Sequence, residues 1–244
     1  MSDRYSQRRR LARSRLTTLA ALVAAAALGA AAFAFFTSGS GSDAEKKESG
    51  RQNSTQPPTF SAPPTQGTTQ PTVLPKPKTV ADGVPVGYPH TLNGAVSAAA
   101  HFYDTADLFD PTASQRQARI TAAPGKAKEL GDEALRLSMA ARRDAGLTLV
   151  GESSTANYYA LSSRAYRVDS ATEDRVTVWI LTDTELSVHG VAKSDTAVQT
   201  AVLTWSGGDW KFTGQEGRDD EPKPVVPESA QAVREGWRSL AYTK

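Results

Sequence analysis

The sequence predicts an α+β protein in which a transmembrane helix and a disordered linker precede three helices packed on a curved antiparallel sheet, cone-like in outline. Three observations predict this organisation. A run of 21 apolar or uncharged residues stands near the N-terminus, helical periodicity fills residues 91–145, and two-residue periodicity follows from 146 to 214. The 161 residues from 84 to 244 suffice for one hydrophobic core.

The apolar run, residues 16–36, predicts a membrane-spanning helix. At 1.5 Å per residue it gives about 31 Å of helix, which matches a hydrocarbon core of about 30 Å. Residues 1–37 hold six Arg against one Asp, so the positive-inside rule places the basic tail, residues 1–15, in the cytoplasm and the C-terminal part outside the cell membrane. A cleaved signal peptide is the alternative, because Ala32–Ala34 has the small-x-small form of a cleavage site, but the apolar run continues beyond it.

The linker, residues 37–83, is predicted to be disordered. It contains seven Pro with many Ser, Thr and Gln, and its one aromatic residue is Phe60. Such a composition cannot bury enough apolar surface to offset the loss of chain entropy. We expect a spacer that holds the folded domain, residues 84–244, away from the bilayer; a Pro-rich docking segment for a partner is the alternative.

Three helices open the predicted domain. Thr91 is a helix-capping residue type, and an apolar stripe at spacings of three and four extends from it, which indicates a helix to about Leu108. Asp110 and Pro111 suit the cap and first position of a second helix. A third helix is expected from about Gly125 to Ala145. The stripe of the first helix consists of Ala95, Ala99, Phe102, Ala106 and Phe109.

Alternating apolar residues predict the strands that follow. The segments are "LTLVG", "NYYALSSRAYRV", "RVTVWILT", "ELSVHGVA", "TAVQTAVLTWS" and "DWKFTG". Gly207-Gly208 predicts a two-residue hairpin turn that sets Trp205 opposite Trp210 and Leu203 opposite Phe212, on the core face together with Ala201. "VTVWILT" is apolar on both faces, so we expect it to be covered on both. "PESAQAVREGWRSLAY" is expected to form a closing helix that carries Val233, Trp237 and Leu240.

Most residue types that carry chemistry occur here without a supporting pattern. The chain has no Cys, which excludes disulfides and thiolate catalysis, and no two of His90, His101 and His189 have metal-ligand spacing. Asp104, Asp107 and Asp110 lie three apart and are expected to face water, with Asp110 as a cap. Arg142 and Arg143 suit the end of a helix, and Asp219, Asp220 and Glu221 suit a solvated loop.

We therefore predict no catalytic, cofactor-binding or metal-binding residues and no cofactor. An enzyme of this architecture would need an acid or base inside the cone, and no spacing joins the available residues into a pair. Those residues are Tyr103, Tyr158, Tyr159, Tyr166, Asp169 and His189.

Two short motifs, "VPVGYPHTLNGAV" at 84–96 and "WSGGDWK" at 205–211, resemble segments of membrane-anchored actinobacterial proteins of mobile elements. The resemblance covers residues 84–213 best. The outer domains of those proteins resemble nuclear transport factor 2, a fold also used by scaffold subunits of conjugative and type IV secretion machines. The resemblance implies protein–protein assembly and no catalytic residues.

Three functional hypotheses follow. The first is a noncatalytic single-pass membrane protein whose external domain assembles with other envelope proteins, in conjugative transfer or secretion. The second is an external domain that binds a lipid or a cell-wall fragment, and the third is a cone-fold dehydratase or isomerase. Residues 84–244 carry a net charge of −4, from 17 basic and 21 acidic residues, so a nucleic-acid partner is not expected. The partners and the oligomeric state stay open.

Overall fold

The structure, a computed structural model, describes residues 67–214 and 221–242. The strands are β1 (Thr68–Leu74), β2 (Thr79–Ala81), β3 (Val84–Val86), β4 (Tyr158–Ala171), β5 (Arg175–Val188), β6 (Val191–Ser206), β7 (Asp209–Gly214) and β8 (Arg238–Tyr242). The helices are α1 (Leu92–Asp104), α2 (Pro111–Thr121), α3 (Ala127–Asp144) and α4 (Ala230–Arg234). The predicted α+β class, with helices packed on a curved sheet, is confirmed.

One sheet of six strands in the order β1-β8-β4-β5-β6-β7 organises the molecule, and β2 and β3 form a separate antiparallel pair. Strands β4 to β7 pair antiparallel, as predicted, and β8 also pairs antiparallel with β4, whereas β1 lies parallel to β8 at one edge. A parallel pair cannot be joined by a tight turn. Nearly the whole domain lies between β1 and β8 in the sequence. The residue pattern of one strand does not indicate the other as its partner, so this pairing could not be predicted.

The helices begin where the capping residues predict. The Thr91 side chain accepts the Gly94 N–H at 3.0 Å, and the Asp110 carboxylate accepts the Ala113 N–H at 2.9 Å with Pro111 in the first turn. The first helix ends at Asp104, four residues earlier than predicted, with Thr105 as its C-terminal cap, whose hydroxyl donates to the His101 carbonyl at 2.6 Å.

Strand β5 is buried on both faces, as "VTVWILT" predicts. On the helix-facing side Val178 and Ile180 pack against Ala95 and Ala99 of α1 within the largest apolar cluster. On the opposite side Trp179 belongs to a second cluster, which the C-terminal segment covers with Val225, Ala232 and Trp237. The sheet is therefore the middle layer of the molecule.

The β6–β7 hairpin is confirmed in turn and register. Gly207 and Gly208 adopt φ of 63° and 82°, a pair of positive values that glycine permits in a two-residue turn. Trp205 lies opposite Trp210, and Leu203 lies opposite Phe212. All four belong to or pack against the main core, together with Ala201.

Two strand predictions need correction. "LTLVG" forms no strand, because Leu147 to Gly151 form an irregular loop whose carbonyl oxygens bind a side chain rather than another strand. The segments "RVTVWILT" and "ELSV" form one continuous strand, β5, and the chain reverses only at His189-Gly190. The polar side chains of Thr182 to Glu185 interrupt the apolar pattern, so the sequence suggested two strands. The backbone pairing with β6 continues through these residues.

The predicted closing helix is also corrected. It spans only Ala230–Arg234, and Gly236, with φ of 85°, ends it. The remaining residues extend as β8, which inserts between β1 and β4. Trp237 is buried, as its size suggests, but it lies between the helix and the strand rather than on a helical face.

The predicted boundary between linker and domain at residue 84 falls too late in the chain. Residues 68–74 form strand β1, and Leu74 is buried in the main core at 1% exposure. Pro75 accepts the Ser97 hydroxyl of α1 at 2.7 Å. Pairing with β8 supplies hydrogen-bond partners to the backbone N–H and C=O groups of β1, which the composition predicted to be bound to water.

No helix among residues 67–214 and 221–242 has the length and apolarity needed to cross a bilayer. The predicted transmembrane segment, residues 16–36, and residues 37–66 of the predicted linker lie outside the described residues.

Candidate functional site

An open cleft lies beside strand β6. Strand β7 pairs only with Val202–Ser206, and no described strand pairs with the outer side of β6 before that point. The cleft there has a volume of about 600 Å³, within the range of ligand pockets. Its lining combines the β6 edge with a floor and a wall from other elements: Tyr159, Thr184, Leu186, residues 193–199 and residues 221–224.

The backbone of β6 alternates between the two sides of the strand. The Trp205 N–H donates to the Asp174 carbonyl at 2.8 Å, on the β5 side, and β6 pairs with β5 without a register shift from Thr204 to Val191. The N–H and C=O groups of odd-numbered residues therefore face β5, and those of even-numbered residues face the cleft. One of these outward groups, the Thr200 carbonyl, accepts the Tyr103 hydroxyl at 2.6 Å.

The ionisable groups of the cleft favour their neutral forms where they are buried. Burial raises the pKa of Tyr159 to about 12, although a hydrogen bond with Thr184 opposes the shift. Burial also raises the pKa of Glu221. Lys193 and Asp195 line the same cleft from β6. The cleft can thus offer hydrogen-bond donors, two basic side chains (Lys193 and Lys223), two acidic side chains (Asp195 and Glu221) and apolar surface.

The candidate acid–base residues are dispersed rather than brought together. The Tyr158 hydroxyl donates to Glu185 on an exposed surface, and the Tyr166 hydroxyl lies 3.2 Å from the Thr72 hydroxyl beside β1. Asp169 is half-buried in β4, and His189 occupies the β5–β6 turn with φ of 53°. Of the six candidates only Tyr159 lines the cleft.

Asp104 has a structural role that the sequence interpretation missed. Its carboxylate accepts the Ser163 N–H of β4 at 2.6 Å and the hydroxyl of Tyr242 in β8. It thereby ties the end of α1 to two strands rather than facing water. Burial, together with this carboxylate, raises the pKa of Tyr242. The spacing of three residues between Asp104, Asp107 and Asp110 indicated a shared edge of a helix. It could not indicate that Asp104 turns towards the strands, because that depends on where the helix ends.

The other two aspartates of this run stabilise the loop and the start of α2. Asp107 accepts the Phe109 N–H at 3.0 Å and the Ser153 hydroxyl at 2.7 Å. Asp110 is the predicted cap, which is confirmed. Within the described residues no group of three or more His, Asp or Glu side chains could hold a metal ion.

His90 packs in an aromatic cluster at the β6–β7 hairpin. Its ring stacks on Trp205 with centroids 4.1 Å apart, and its Nε2 lies 3.0 Å from the Asp174 carboxylate. His101 contacts the Ser97 carbonyl at 2.8 Å and the rings of Tyr88 and Tyr242. The histidines therefore serve packing and turn geometry in this structure.

Arg142 does more than suit the end of a helix, which is the role that the sequence suggests. It is 5% exposed, and its guanidinium donates to the carbonyl oxygens of Thr148 and Val150 at 2.5 and 3.1 Å and to the Phe109 carbonyl. These bonds hold a loop whose tip exposes Leu149 and Val150. Neighbouring Arg143 is exposed.

The fold and the cleft together define a class: an α+β domain with an open cleft along a partly unpaired strand of its central sheet. The chain belongs to the family described as "Domain of unknown function (DUF8175)", whose model matches residues 24–233. The match starts inside the apolar run 16–36 and ends before β8. No curated protein matches the chain, and no solved structure matches it.

Proposed function

We propose that this protein is a noncatalytic, single-pass membrane protein whose external domain binds other envelope proteins at the β6 cleft. Conjugative transfer or secretion is the assembly that the sequence resemblance favours. The apolar run 16–36, its basic flank and the Pro-rich segment support the anchored topology, with the N-terminus in the cytoplasm. The family match supports treating these segments and the domain as one unit, because it extends from residue 24 to 233.

The observation that carries the proposal is the outward-facing backbone of β6 beside an open cleft. A strand edge offers alternating donors and acceptors to an extended segment, and side chains of that segment would enter the cleft. The outer groups belong to Ala192, Ser194, Thr196 and Val198, in a stretch where no described strand pairs. Natural proteins usually protect such edges, so an accessible one favours a binding role.

Photo-crosslinking in cells tests the proposal. A photoreactive residue at Thr196, on the cleft edge, should give discrete crosslinked products that contain other envelope proteins. The matched control is Arg136, an exposed residue on α3, which should give few. Equal products from both positions, or none from Thr196, would argue against a binding role for this cleft.

A second candidate function is binding of a lipid or wall fragment in the same cleft. The volume of about 600 Å³ and the mixture of apolar floor, Tyr159 and Lys193 favour it. Mass spectrometry of the purified full chain under non-denaturing conditions should then show a bound small molecule that Leu186→Trp, which fills the floor, removes. A dehydratase or isomerase has weaker support: burial raises the pKa values of Tyr159 and Glu221, which leaves Asp195 as the remaining acidic side chain of the cleft.

A further inference from the structure

The accessible part of the β6 edge has a definite length. Residues 191–197 are exposed or half-buried, whereas residues 198–200 are buried. A partner strand can therefore reach seven residues, and the residue at the centre of that stretch is Ser194. Because Ser194 has an even number, its N–H and C=O point outward, away from β5.

The side chains on either side of Ser194 carry opposite charges. The side chains of Lys193 and Asp195 project from the same face of β6, and both residues line the cleft. If two β6 strands pair antiparallel about a two-fold axis at Ser194, Lys193 of each copy lies opposite Asp195 of the other. Ser194 then lies opposite itself, and Ala192 lies opposite Thr196. Opposite charges at directly facing positions stabilise a strand pair, and like charges destabilise it.

We propose that the external domain self-associates by antiparallel pairing of β6 with β6 of a second copy, with Ser194 on the two-fold axis. Two independent observations favour this register. The accessible stretch of β6 is centred on Ser194, and the charges of Lys193 and Asp195 are complementary about the same residue. Moving the axis to residue 195 would place Asp195 opposite itself. Moving it to residue 196 would place Asp195 opposite Ala197 and would require the buried residues 198–200.

Pairing exchanges contacts that the single chain already makes. The Asp195 carboxylate accepts the outward N–H of Thr196 at 2.8 Å, and Lys193 also has interactions within the chain. In the pair, the Thr196 N–H donates to the carbonyl of Ala192 in the second copy, and the carboxylate turns to Lys193. In the single chain, the bond between Asp195 and the Thr196 N–H protects the strand edge. Because pairing must break this bond, we expect the pair to be weak and reversible.

The proposal rests on the proposed function in one respect: anchoring both copies in one membrane raises their effective concentration, as a tether does. A seven-residue strand pair is a small interface, so we expect little dimer in dilute solution and substantial dimer in the membrane. A homodimer formed this way would extend the sheet through both copies and would close, since a two-fold interface leaves no further edge of β6 open.

Cysteine crosslinking of the full chain in native membranes tests the register, because the natural chain has no Cys. In the proposed pair, Ser194→Cys faces itself at a Cα separation of about 5.5 Å, within the range of a disulfide. The matched control is Thr196→Cys, on the same face of the same strand, whose two copies would stand about 15 Å apart. We expect the Ser194→Cys disulfide to form at least about tenfold faster under mild oxidation.

A mixed experiment adds a positive control. Ala192→Cys and Thr196→Cys chains expressed together should give a heterodimeric disulfide, although neither forms one efficiently alone. If Thr196→Cys crosslinks as fast as Ser194→Cys, the proposed register is wrong. If neither variant nor the mixture crosslinks, the pairing itself is wrong.

Charge exchange tests the reason for the register. In the Ser194→Cys background, Lys193→Asp or Asp195→Lys alone should slow crosslinking about tenfold, because like charges then face each other. The double variant Lys193→Asp, Asp195→Lys should restore the rate. A double variant no faster than the single variants would overturn the charge argument, since misfolding would not be repaired by a second substitution.

The outcomes separate this proposal from the proposed function. Crosslinked products that contain other envelope proteins, without a Ser194→Cys homodimer, would overturn self-association and leave the binding role intact. A homodimer without other proteins would support the second copy as the partner of the edge and would count against the wider assembly.

Discussion

At the scale of single residues, burial decides the role of charged side chains in this domain. Arg142 and Arg143 are neighbours at the end of α3, yet one is 5% exposed and bound to loop carbonyls while the other faces solvent. Asp104 likewise binds two strands although its sequence context resembles that of Asp107. A charged residue that is buried needs several polar partners to replace water. Such partners come from distant segments, so adjacent positions can differ completely.

Replacing Arg142 should therefore destabilise the domain far more than replacing Arg143. We expect Arg142→Ala to lower the free energy of unfolding by about 3 kcal/mol, because it leaves the buried Phe109 carbonyl and two part-buried loop carbonyls without their donor. Arg143→Ala, the matched control, should change it by less than about 0.5 kcal/mol. Urea unfolding followed by Trp fluorescence measures both. Similar effects of the two variants would contradict the role assigned to Arg142.

Tyr159 should make stability depend on alkaline pH. Its pKa is about 12 in the folded chain, whereas an unfolded tyrosine ionises near pH 10. Between these values the unfolded state binds fewer protons than the folded state, so stability falls as pH rises from about 10 to 12. Tyr242 contributes in the same direction, because its pKa is also raised.

The measurement is the urea midpoint between pH 8 and 12, in the natural chain and in Tyr159→Phe. We expect a flat profile below about pH 9 in both and a shallower decline above pH 10 in the variant. An unchanged decline would show that burial does not hold the phenol in its neutral form.

At the scale of elements, the first strand shows how a segment of linker-like composition joins the core. Strand β1 contains one fully buried apolar side chain, Leu74, and its neighbour Val73 is 58% exposed. Its backbone pairs parallel with β8, and Gly67 approaches the C-terminal segment so closely that a Cβ there would lie 2.3 Å from the Trp237 carbonyl oxygen. One anchoring side chain and one ladder are enough to order the strand.

Leu74→Ala should destabilise the full chain by about 2–5 kcal/mol, the usual cost of a large-to-small change in a packed core. Val73→Ala is the matched control, because it removes apolar atoms from the same strand on its solvent side, and its effect should stay within about 0.5 kcal/mol. Thermal or urea unfolding distinguishes the two. If both variants were neutral, the domain would begin after β1, near the boundary that composition predicts.

At the scale of the whole molecule, the proposed architecture depends on one membrane segment, residues 16–36. A charged residue at the centre of a spanning helix costs about 2.5–3.5 kcal/mol of insertion free energy. We expect Leu22→Arg to shift the protein out of the alkali-resistant membrane fraction. Leu11→Arg, in the basic tail, is the control and should leave the protein in that fraction.

Topology has a second, independent measurement. A protease added to intact cells should degrade the domain that carries all four Trp and leave the arginine-rich tail protected, and the mature chain should retain its N-terminus. A mature N-terminus near Phe35 would mean that the apolar run is a cleaved signal peptide.

The sequence alone determined the features that arise from contacts between near neighbours. Caps at Thr91 and Asp110, the Gly207-Gly208 hairpin and the two-sided burial of "VTVWILT" follow from local backbone geometry and side-chain period, and the structure confirms them. The cleft was not predicted, because its lining comes from segments far apart in the chain, namely β4, β5, β6 and residues 221–224.

Only the tertiary structure decided which distant segments meet. The parallel pairing of β1 with β8, the short length of the closing helix and the inward turn of Asp104 depend on partners far away in the chain. Each exchanges hydrogen bonds with water for hydrogen bonds with a remote segment, and that exchange leaves no periodic mark in the sequence because both alternatives satisfy the same backbone groups.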